Sequence, residues 1–204
     1  MAVRSANDAA VVLAEHLAGS EEDFAFHMTR KAHSLGMSKT VFKTANGLPH
    51  PEQVTTARDM AKLANAILVN HRRHYHYFGI ESFRYKGRTY KNTNSLLHDR
   101  LDVDGFKTGF THASGYNLIV SAERDGRRLI AVVLGGASGA SRNSHMSDLI
   151  ERGFDVMGVK PHIIAVAKPQ SPQTIKPKST RQIIRLRGSK PVSDNVIQAN
   201  YQTM

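Results

Sequence analysis

The 204 residues, of which 40% are hydrophobic and 22% charged, suffice for one domain with a sizeable core. They include no cysteine, which excludes disulfides, thiol catalysis and thiolate metal sites, and no run approaches the roughly 20 apolar residues that span a bilayer. The formal net charge of +11 is concentrated in residues 160–204, which carry +7 and leave +4 for the rest, so the folded region has no strongly basic character.

Three helices are predicted in the first third of the chain. Residues 8–18 are rich in Ala, Val and Leu, contain no helix breaker and stop before a glycine. Ser20 opens a Ser-x-x-Asp capping box for a second helix, which Gly36 ends, and the two helices form a pair with a short loop. Thr56 offers a similar box for a third helix that ends near Asn70.

A segment rich in histidine and aromatic residues, 71–78, follows the third helix. His74 and His76 alternate, and a His-x-His pair on a strand can bind a metal ion. No carboxylate or third histidine stands at a matching spacing, so we interpret the segment as aromatic packing with one polar, solvated face. The sequence predicts neither a metal site nor another cofactor.

Short strands dominate the second half of the folded region. A small hairpin is predicted over residues 82–90 and a further strand over 105–109. Two stronger strands are predicted over 115–122 and 128–135, and the Asp-Gly pair between them is typical of a tight hairpin turn.

A closing amphipathic helix is predicted around Met146 and Phe154, with Ser141 or Ser144 as its N-cap. Arg127 and Arg128, which flank the preceding hairpin turn, are interpreted as a solvated pair. Helices, then antiparallel strands, then a helix predict the α+β class, an antiparallel sheet flanked by helices, rather than a βαβ repeat.

Residues 159–204 are predicted to form a basic, proline-containing tail behind a domain of residues 1–158. Five of the seven prolines, and eight Lys or Arg against one acidic residue, fall within 160–204. This composition is typical of a flexible arm. Attraction of the arm to an anionic polymer or lipid stays open, whereas nucleic acid is not expected, because no recognition motif accompanies the charge.

Two three-residue motifs stand far apart in the domain: Ser-Ala-Asn at 5–7 and Lys-Thr-Gly at 107–109. Each has a structural interpretation, since Ser5 and Asn7 are common helix-capping residues and Lys107 alone is an ordinary solvated strand lysine. Taken singly, these structural interpretations are favoured. A chemical role rests on the joint occurrence of the two motifs.

With other landmarks in the same order, the two motifs resemble the serine-type D-alanyl-D-alanine carboxypeptidases, the low-molecular-mass penicillin-binding proteins, over residues 1–157. The further landmarks are Leu35-Gly36-Met37 with Asn46-Gly47-Leu48, Thr56-Ala57-Arg58-Asp59, Asn92-Thr93-Asn94-Ser95-Leu96-Leu97 and Gly115-Tyr116-Asn117-Leu118. The resemblance implies a β-lactamase/transpeptidase-like fold that is incomplete at the N-terminus.

The resemblance assigns the binding partner and the residues that hold it. Lys107 and Thr108 would bind the terminal carboxylate of a peptidoglycan peptide ending in D-Ala-D-Ala, or that of a β-lactam, and Thr111 would assist. Charge-assisted hydrogen bonds of this kind contribute about 1.5–3 kcal/mol each. Gly109 would let the strand approach the ligand without a side chain in the way.

The catalytic positions implied by the resemblance are Ser5, Asn7 and Lys107. Ser5 would pass a proton between the lysine of the family's nucleophile motif and the leaving D-Ala nitrogen. Asn7 would hold the substrate amide, and Lys107 would supply a fixed positive charge. The nucleophile of the family stands in a Ser-x-x-Lys motif. No lysine of this sequence has a serine three positions before it.

We therefore expect the chain to be the C-terminal part of a carboxypeptidase, inactive by itself and a weak binder of its peptide or β-lactam. A non-catalytic remnant or a cell-wall-binding module stays open, and a β-lactamase fits the landmarks less well. The family acts in the periplasm or cell envelope. The first four residues lack the apolar run of a secretory signal, so a cytoplasmic location is expected if the sequence is expressed as printed.

One strand is also expected to lack a partner. In the family topology the strand predicted at 128–135 pairs with an N-terminal strand, which this sequence does not supply. Its apolar run would then be an uncovered sheet edge and a template for self-association.

Overall fold

The computed structural model of the protein describes residues 1–160. The helices are α1 (Asn7–Ala18), α2 (Glu21–Ser34), α3 (Ala57–Asn70), α4 (Arg72–Tyr75), α5 (Leu96–Asp99) and α6 (Gly139–Val156), with a 3-10 turn at His76–Phe78 between α4 and the first strand. The strands are β1 (Ser82–Tyr85), β2 (Arg88–Lys91), β3 (Val103–Thr111), β4 (Gly115–Arg124) and β5 (Arg127–Gly136). The predicted α+β class is confirmed, while the predicted tail lies outside the described residues.

The strands form two antiparallel sheets within the described part of the chain. β1 and β2 make a separate hairpin, and the other three strands pair in the order β3-β4-β5. The turn between β4 and β5 has φ of 49° at Asp125 and 72° at Gly126, the left-handed pair of a type I′ turn that suits the twist of the flanking strands. The Asp-Gly signal therefore predicted this hairpin correctly.

Helices cover both faces of the three-stranded sheet. Along β4, Leu118 and Val120 lie in one core with Phe154 of α6, while Ile119 packs on the other side against a core that contains Ala64 of α3. Side chains alternate between the faces of a strand, so β4 contributes to both cores. Burying each large apolar side chain contributes about 1.5–3 kcal/mol, so the sheet is stabilised by packing on both of its faces.

α6 begins earlier than its apolar spacing predicts. The prediction of Ser141 or Ser144 as N-cap is wrong, because Ser138 is the cap and its hydroxyl accepts from the Ser141 backbone N–H at 3.0 Å. The Ser141 hydroxyl in turn accepts from the Ser138 N–H, which closes a reciprocal capping box. Polar residues fill this first turn, so apolar periodicity alone could not locate it.

A buried carboxylate anchors the irregular segment between α2 and α3. Asp59, in the first turn of α3, accepts hydrogen bonds from the Lys39 backbone N–H and the Thr40 hydroxyl, each at 2.9 Å. Val41 and Val54 exchange backbone hydrogen bonds at 2.9 and 3.1 Å. The segment is therefore ordered by polar contacts rather than by regular secondary structure.

Two apolar surfaces lack a partner within the described residues. α1 buries Ala14 fully but leaves Val12, Leu13 and Leu17 exposed. β5 is an edge strand whose described backbone pairing is with β4 alone.

No helix in residues 1–160 is long and apolar enough to cross a membrane.

Arg128 pairs with acidic groups rather than with solvent. Its guanidinium donates to both carboxylate oxygens of Asp104, at 2.9 and 2.6 Å, and also contacts Glu123. The prediction of a solvated pair is correct for Arg127, which is exposed, and wrong for Arg128, because antiparallel pairing of β3, β4 and β5 brings these carboxylates beside it.

A second ion-pair network, more deeply buried, links the β3–β4 side of the sheet to α6. Arg124 is 6% exposed and donates to Asp102 at 2.7 Å and to Glu151 at 2.8 Å. Arg100 bonds the same two carboxylates at 2.8 and 2.6 Å. Arg124 and Arg100 together lower the pKa of Glu151 to about 2, and the pKa of Asp102, despite its burial, is also lowered by the two arginines.

We expect Asp102→Asn to lower the free energy of unfolding at pH 7 by about 3 kcal/mol, the lower end for breaking a buried ion pair, because it leaves the buried Arg124 and the partly buried Arg100 with one carboxylate. Both carboxylates have lowered pKa values, so their contribution is present above about pH 4.5 and is lost as the pH falls toward about 2. Urea unfolding followed by circular dichroism should show the two proteins converging in stability over that range. The control Glu52→Gln removes an exposed pair with Lys43 and should leave the unfolding midpoint unchanged; an equal loss in both variants would contradict the prediction.

Candidate active site

The two sequence motifs meet through one hydrogen bond. Lys107, on β3, places its Nζ 2.7 Å from the Ser5 Oγ, across 102 positions of sequence. The same ammonium donates to the Thr108 carbonyl at 2.7 Å. Ser5 precedes α1 and has φ of 55°, a left-handed backbone that is uncommon for a residue other than glycine. Its hydroxyl is bonded to Lys107 and is not a helix cap, since α1 has no side-chain cap.

Ser5, Asn7 and Lys107 line a common cavity of about 690 Å³, called here the Lys107 cavity. Apart from these polar groups its walls are largely apolar and aromatic, drawn from residues 1–10, residues 74–83 and the loop before α3. The three predicted catalytic positions are thus brought to one place. An ammonium and a hydroxyl in bonding distance beside an apolar cavity are the groups that proton transfer requires.

A second recess, called here the Thr108 groove, has a volume of about 410 Å³ and shares Ser5 and Asn7 with the Lys107 cavity. Its walls also include Thr108, Gly109 and Arg142. The Thr108 hydroxyl lies 2.7 Å from that of Thr93. The two recesses therefore meet at the N-terminus of α1.

Lys107 is a cation without an acidic partner among the described residues. Its two bonded acceptors, the Ser5 hydroxyl and the Thr108 carbonyl, are both uncharged. Burial lowers the pKa of Lys107 to about 8, since the charged form is disfavoured away from water. At neutral pH the ammonium remains mostly protonated and close to the point of losing its proton.

Arg142 is a second buried cation that the motif analysis missed. It is 7% exposed, and its guanidinium donates to the Asn143 side-chain oxygen at 2.8 and 3.0 Å and to the Asn117 carbonyl at 3.3 Å. Within residues 1–160 no carboxylate lies close enough to pair with it. Burial lowers its pKa below the usual arginine value. A carboxylate in the Thr108 groove would supply the missing charge.

Gly136 explains how α6 brings Arg142 so close to the sheet. A Cβ at position 136 would lie 2.9 Å from the Arg142 Cβ and 3.0 Å from the Tyr116 carbonyl, closer than side chains tolerate. Glycine therefore permits the end of β5 and the start of α6 to approach. The sequence did contain an indication that Arg142 is buried. Arg142 lies four residues before Met146, and Ile150 and Phe154 follow at the same spacing, so all four side chains lie on the buried face of α6.

Two other predicted site residues, Gly109 and Thr111, make no hydrogen bond to Lys107. Thr111 bonds its hydroxyl to that of Ser114 at 2.8 Å, in the turn between β3 and β4, and does not line the Thr108 groove. Gly109 lines the groove, but a Cβ there would meet Asn117 only at an ordinary 3.7 Å. The roles given to both stay predictions.

The histidine segment is helical rather than extended. His74 lies in α4 and His76 in the 3-10 turn, and the ring centroids of His76 and Tyr77 are 4.1 Å apart. Tyr75, by contrast, is buried against Phe106. Among the described residues no group of three or more metal-ligating side chains occurs. A His-x-His pair on a strand, the geometry considered for a metal, is therefore not formed.

Comparison with known proteins places this geometry in a family. Residues 1–138 match the family described as D-alanyl-D-alanine carboxypeptidase. The D-alanyl-D-alanine carboxypeptidase DacD of Escherichia coli K12 is 41% identical over 152 residues, which cover 74% of this chain and 39% of that protein. The chain thus spans well under half the length of this curated relative.

Solved structures agree with the sequence match. Penicillin binding protein 5 from Haemophilus influenzae superposes with a TM-score of 0.71 at 37% identity, covering 74% of this chain and 44% of the other. Penicillin-binding protein D2 from Listeria monocytogenes, in its cefotaxime-bound form, gives a TM-score of 0.69 at 35% identity, covering 74% and 62%.

We expect the side-chain amine of Lys107 to titrate with a midpoint near pH 8, because burial lowers its pKa to about that value. The measurement is a pH series of the lysine Cε–Hε correlations by NMR, with the Lys107 signal assigned by its loss in Lys107→Met. Since the charge is lost as the pH rises through 8, binding of an anionic ligand should weaken over the same range. A midpoint above pH 10 would contradict the burial argument.

Proposed function

This chain belongs to the D-alanyl-D-alanine carboxypeptidase family, and we propose that it is the substrate-binding and proton-relay part of a serine-type carboxypeptidase of the cell envelope. Its substrate would be a peptidoglycan peptide ending in D-Ala-D-Ala, and a β-lactam would occupy the same site. The observation that carries the proposal is the 2.7 Å hydrogen bond from Lys107 to Ser5, beside Asn7 in one cavity.

Carboxylate recognition falls to the two cations that have no acidic partner in the described residues. Lys107 and Arg142 are both desolvated and both uncompensated, and a terminal carboxylate would offset the unfavourable burial of charge. The Thr108 hydroxyl adds a neutral donor in the groove that Arg142 lines, next to the Lys107 cavity. Gly109 leaves β3 without a side chain next to the groove. Thr111, two residues further along β3, would assist by accepting a hydrogen bond from the Ser114 N–H in the adjoining turn.

The proton relay would pass through the Ser5 hydroxyl, which Lys107 holds in place. In acyl transfer the leaving D-Ala nitrogen must gain a proton as its bond to the carbonyl carbon breaks. The Ser5 hydroxyl would give that proton and regain one from the catalytic lysine of the nucleophile motif, while Lys107 holds the hydroxyl in place at 2.7 Å. Asn7 has no hydrogen bond from its side chain within the described residues, and its amide would hold the substrate peptide bond.

β3 would contribute part of the oxyanion hole. It is an edge strand of the described sheet, so the side of its backbone opposite β4 carries no ladder hydrogen bonds. A backbone N–H after Gly109 would then point at the reacting carbonyl oxygen. Such donors stabilise the developing negative charge and usually lower the barrier more than any other single group.

The nucleophile itself would come from polypeptide outside these 204 residues, which contain no Ser-x-x-Lys. The Lys107 cavity is an apolar recess next to Ser5 and Asn7, and α1, which begins at Asn7, exposes Val12 and Leu17. A helix that carries the nucleophile would bury this surface. Without it the chain would bind its ligand weakly and leave the peptide intact.

A non-catalytic binding module is the second candidate. The observation in its favour is that this chain contains both cations proposed to bind the carboxylate, Lys107 and Arg142, whereas it contains no Ser-x-x-Lys. Such a module would recognise D-Ala-D-Ala ends in the cell wall without cleaving them. The two functions differ in covalent chemistry, which a single experiment reads out.

We expect the purified chain to form no covalent adduct with a fluorescent penicillin, because acylation needs the absent serine. Fusing the chain behind an upstream segment of a carboxypeptidase of this family that carries Ser-x-x-Lys should restore the adduct on a denaturing gel. Lys107→Ala should reduce acylation in the fusion about 100-fold or more, as for loss of an electrostatic catalytic group, and serine-to-alanine in the supplied motif should abolish it. An adduct on the chain alone would sink the proposal, and a silent fusion would favour the binding module.

Self-association is expected through the edge of β5 that has no strand partner within residues 1–160, because a row of unpaired backbone groups beside an apolar run invites strand addition. Size-exclusion chromatography with light scattering should find dimers or larger species. Leu134→Lys on β5 should shift them toward monomer, whereas Val156→Lys, at a site 89% exposed on α6, should not. A monomeric unsubstituted chain with cooperative melting would refute this expectation.

A further inference from the structure

The β1–β2 hairpin is a cationic surface without internal charge partners. Its ten residues include four cations and no Asp or Glu: Arg84, Lys86, Arg88 and Lys91. Neither these nor the neighbouring Arg4 lies within 4.0 Å of a carboxylate in the described part of the chain. An arriving anion would therefore break no existing ion pair.

Aromatic rings line the same surface. The Arg4 guanidinium lies 6.0 Å from the Tyr90 ring centroid, and the Lys86 ammonium lies 5.4 Å from that of Tyr85. Tyr90 in turn stacks on Phe83 at 5.3 Å with 19° between the planes. Phe83 and Tyr85 are 41% and 56% exposed. The surface thus offers fixed cations held over flat apolar groups.

One face of the hairpin turns toward the candidate active site. The register pairs Phe83 with Tyr90 and Tyr85 with Arg88, so the alternation of side chains puts these four residues on one face. Phe83 lines the Lys107 cavity. The face that carries the aromatic rings and Arg88 is therefore continuous with that cavity.

Backbone and side-chain bonds fix the hairpin to the site. Thr93 follows β2 by two residues, and its N–H donates to the Val3 carbonyl at 3.1 Å. Its hydroxyl lies 2.7 Å from that of Thr108. The hairpin is thereby tied both to the segment that carries Ser5 and to the strand that carries Lys107.

We propose that this face, with Arg4, Lys86 and Arg88 as its cations, binds carboxylates that precede the D-Ala-D-Ala end of the peptide, so that the enzyme prefers acidic peptides. The inference rests on the proposed function, because the peptide's C-terminal carboxylate occupies the Thr108 groove while its preceding residues cross the hairpin. Charge complementarity selects the ligand. The three cations are exposed and have no carboxylate within 4.0 Å among the described residues, and Phe83 on the same hairpin lines the cavity. Opposite charge favours both the encounter with an anionic peptide and its correct alignment.

The test compares two fluorescein-labelled peptides that end in D-Ala-D-Ala, one with three preceding glutamates and the other with three glutamines. Titrated against the full chain and read by fluorescence anisotropy, the glutamate peptide should bind roughly tenfold more tightly at low salt, as three exposed charge pairs allow. The advantage should vanish at high salt, where exposed charges are screened. It should also vanish in the variant Arg4→Gln/Lys86→Gln/Arg88→Gln.

A matched control, Arg58→Gln/Arg127→Gln/Arg152→Gln, removes three other exposed cations and should keep the tenfold preference. If the preference survives the hairpin variant or disappears in the control, the hairpin assignment is overturned. Binding too weak for anisotropy can be followed by NMR of the isotope-labelled chain. If the amide signals of β1 and β2 do not shift at millimolar glutamate peptide, the hairpin assignment is also overturned. Tighter hairpin-dependent binding of polyphosphate than of the glutamate peptide would overturn the acidic-peptide assignment in favour of a phosphate polymer.

Two further arms separate this inference from the proposed function. Arg142→Gln should weaken both D-Ala-D-Ala peptides alike, and a C-terminal amide should do the same. If those changes have no effect while the glutamate preference depends on the hairpin, the D-Ala-D-Ala site fails and the cationic surface stands. If they weaken binding while glutamate and glutamine peptides bind equally, the hairpin inference fails alone.

Discussion

The candidate site depends on protein groups that replace the water lost by a partly buried ammonium. Lys107 has lost much of its water, and the Ser5 hydroxyl and the Thr108 carbonyl replace it at 2.7 Å each. Both acceptors are neutral, so they satisfy hydrogen bonds without cancelling the charge. For this to happen the turn before α1 must reach the edge strand β3, and Ser5 must adopt a left-handed backbone. One ammonium therefore holds together the two ends of the site.

Lys107 and Arg142 differ from the other partly or fully buried cations of the described residues in what they contact. Arg100, Arg124 and Arg128 each lie within 3 Å of carboxylate oxygens, which is how proteins ordinarily stabilise buried charge. Lys107 and Arg142 have only neutral acceptors in the described residues, and burial lowers the pKa of both. Lys107 lines the Lys107 cavity and Arg142 lines the Thr108 groove, and the two recesses share Ser5 and Asn7. Cations that are desolvated and have no acidic partner are a feature expected of an anion-binding site, which agrees with the proposed carboxylate recognition.

Local structure was predictable from the sequence because it depends on local chemistry. Capping residues at Ser20 and Thr56 and the Asp-Gly turn each fix a few neighbouring backbone dihedrals, and the corresponding elements form where predicted. Pairing through space was not predictable in the same way. Arg128 looked solvated because its partner Asp104 is 24 positions away, and Arg142 was overlooked because its importance lies in the absence of a partner. The resemblance to carboxypeptidases supplied the long-range relation between Ser5 and Lys107 that spacing alone does not contain.

The position of α1 links stability to chemistry. This helix begins at Asn7, directly after Ser5, yet within the described residues it buries only Ala14 fully and leaves three large apolar side chains exposed. Fixing a helix requires apolar burial that exceeds the lost chain entropy, so α1 is held less firmly than the sheet that carries Lys107. A segment packed into the Lys107 cavity and against α1 would bury that surface and hold Ser5 and Asn7 in place at the same time. The same contact that completes the core would then also set the distance between hydroxyl and ammonium, which makes the geometry of proton transfer a consequence of packing.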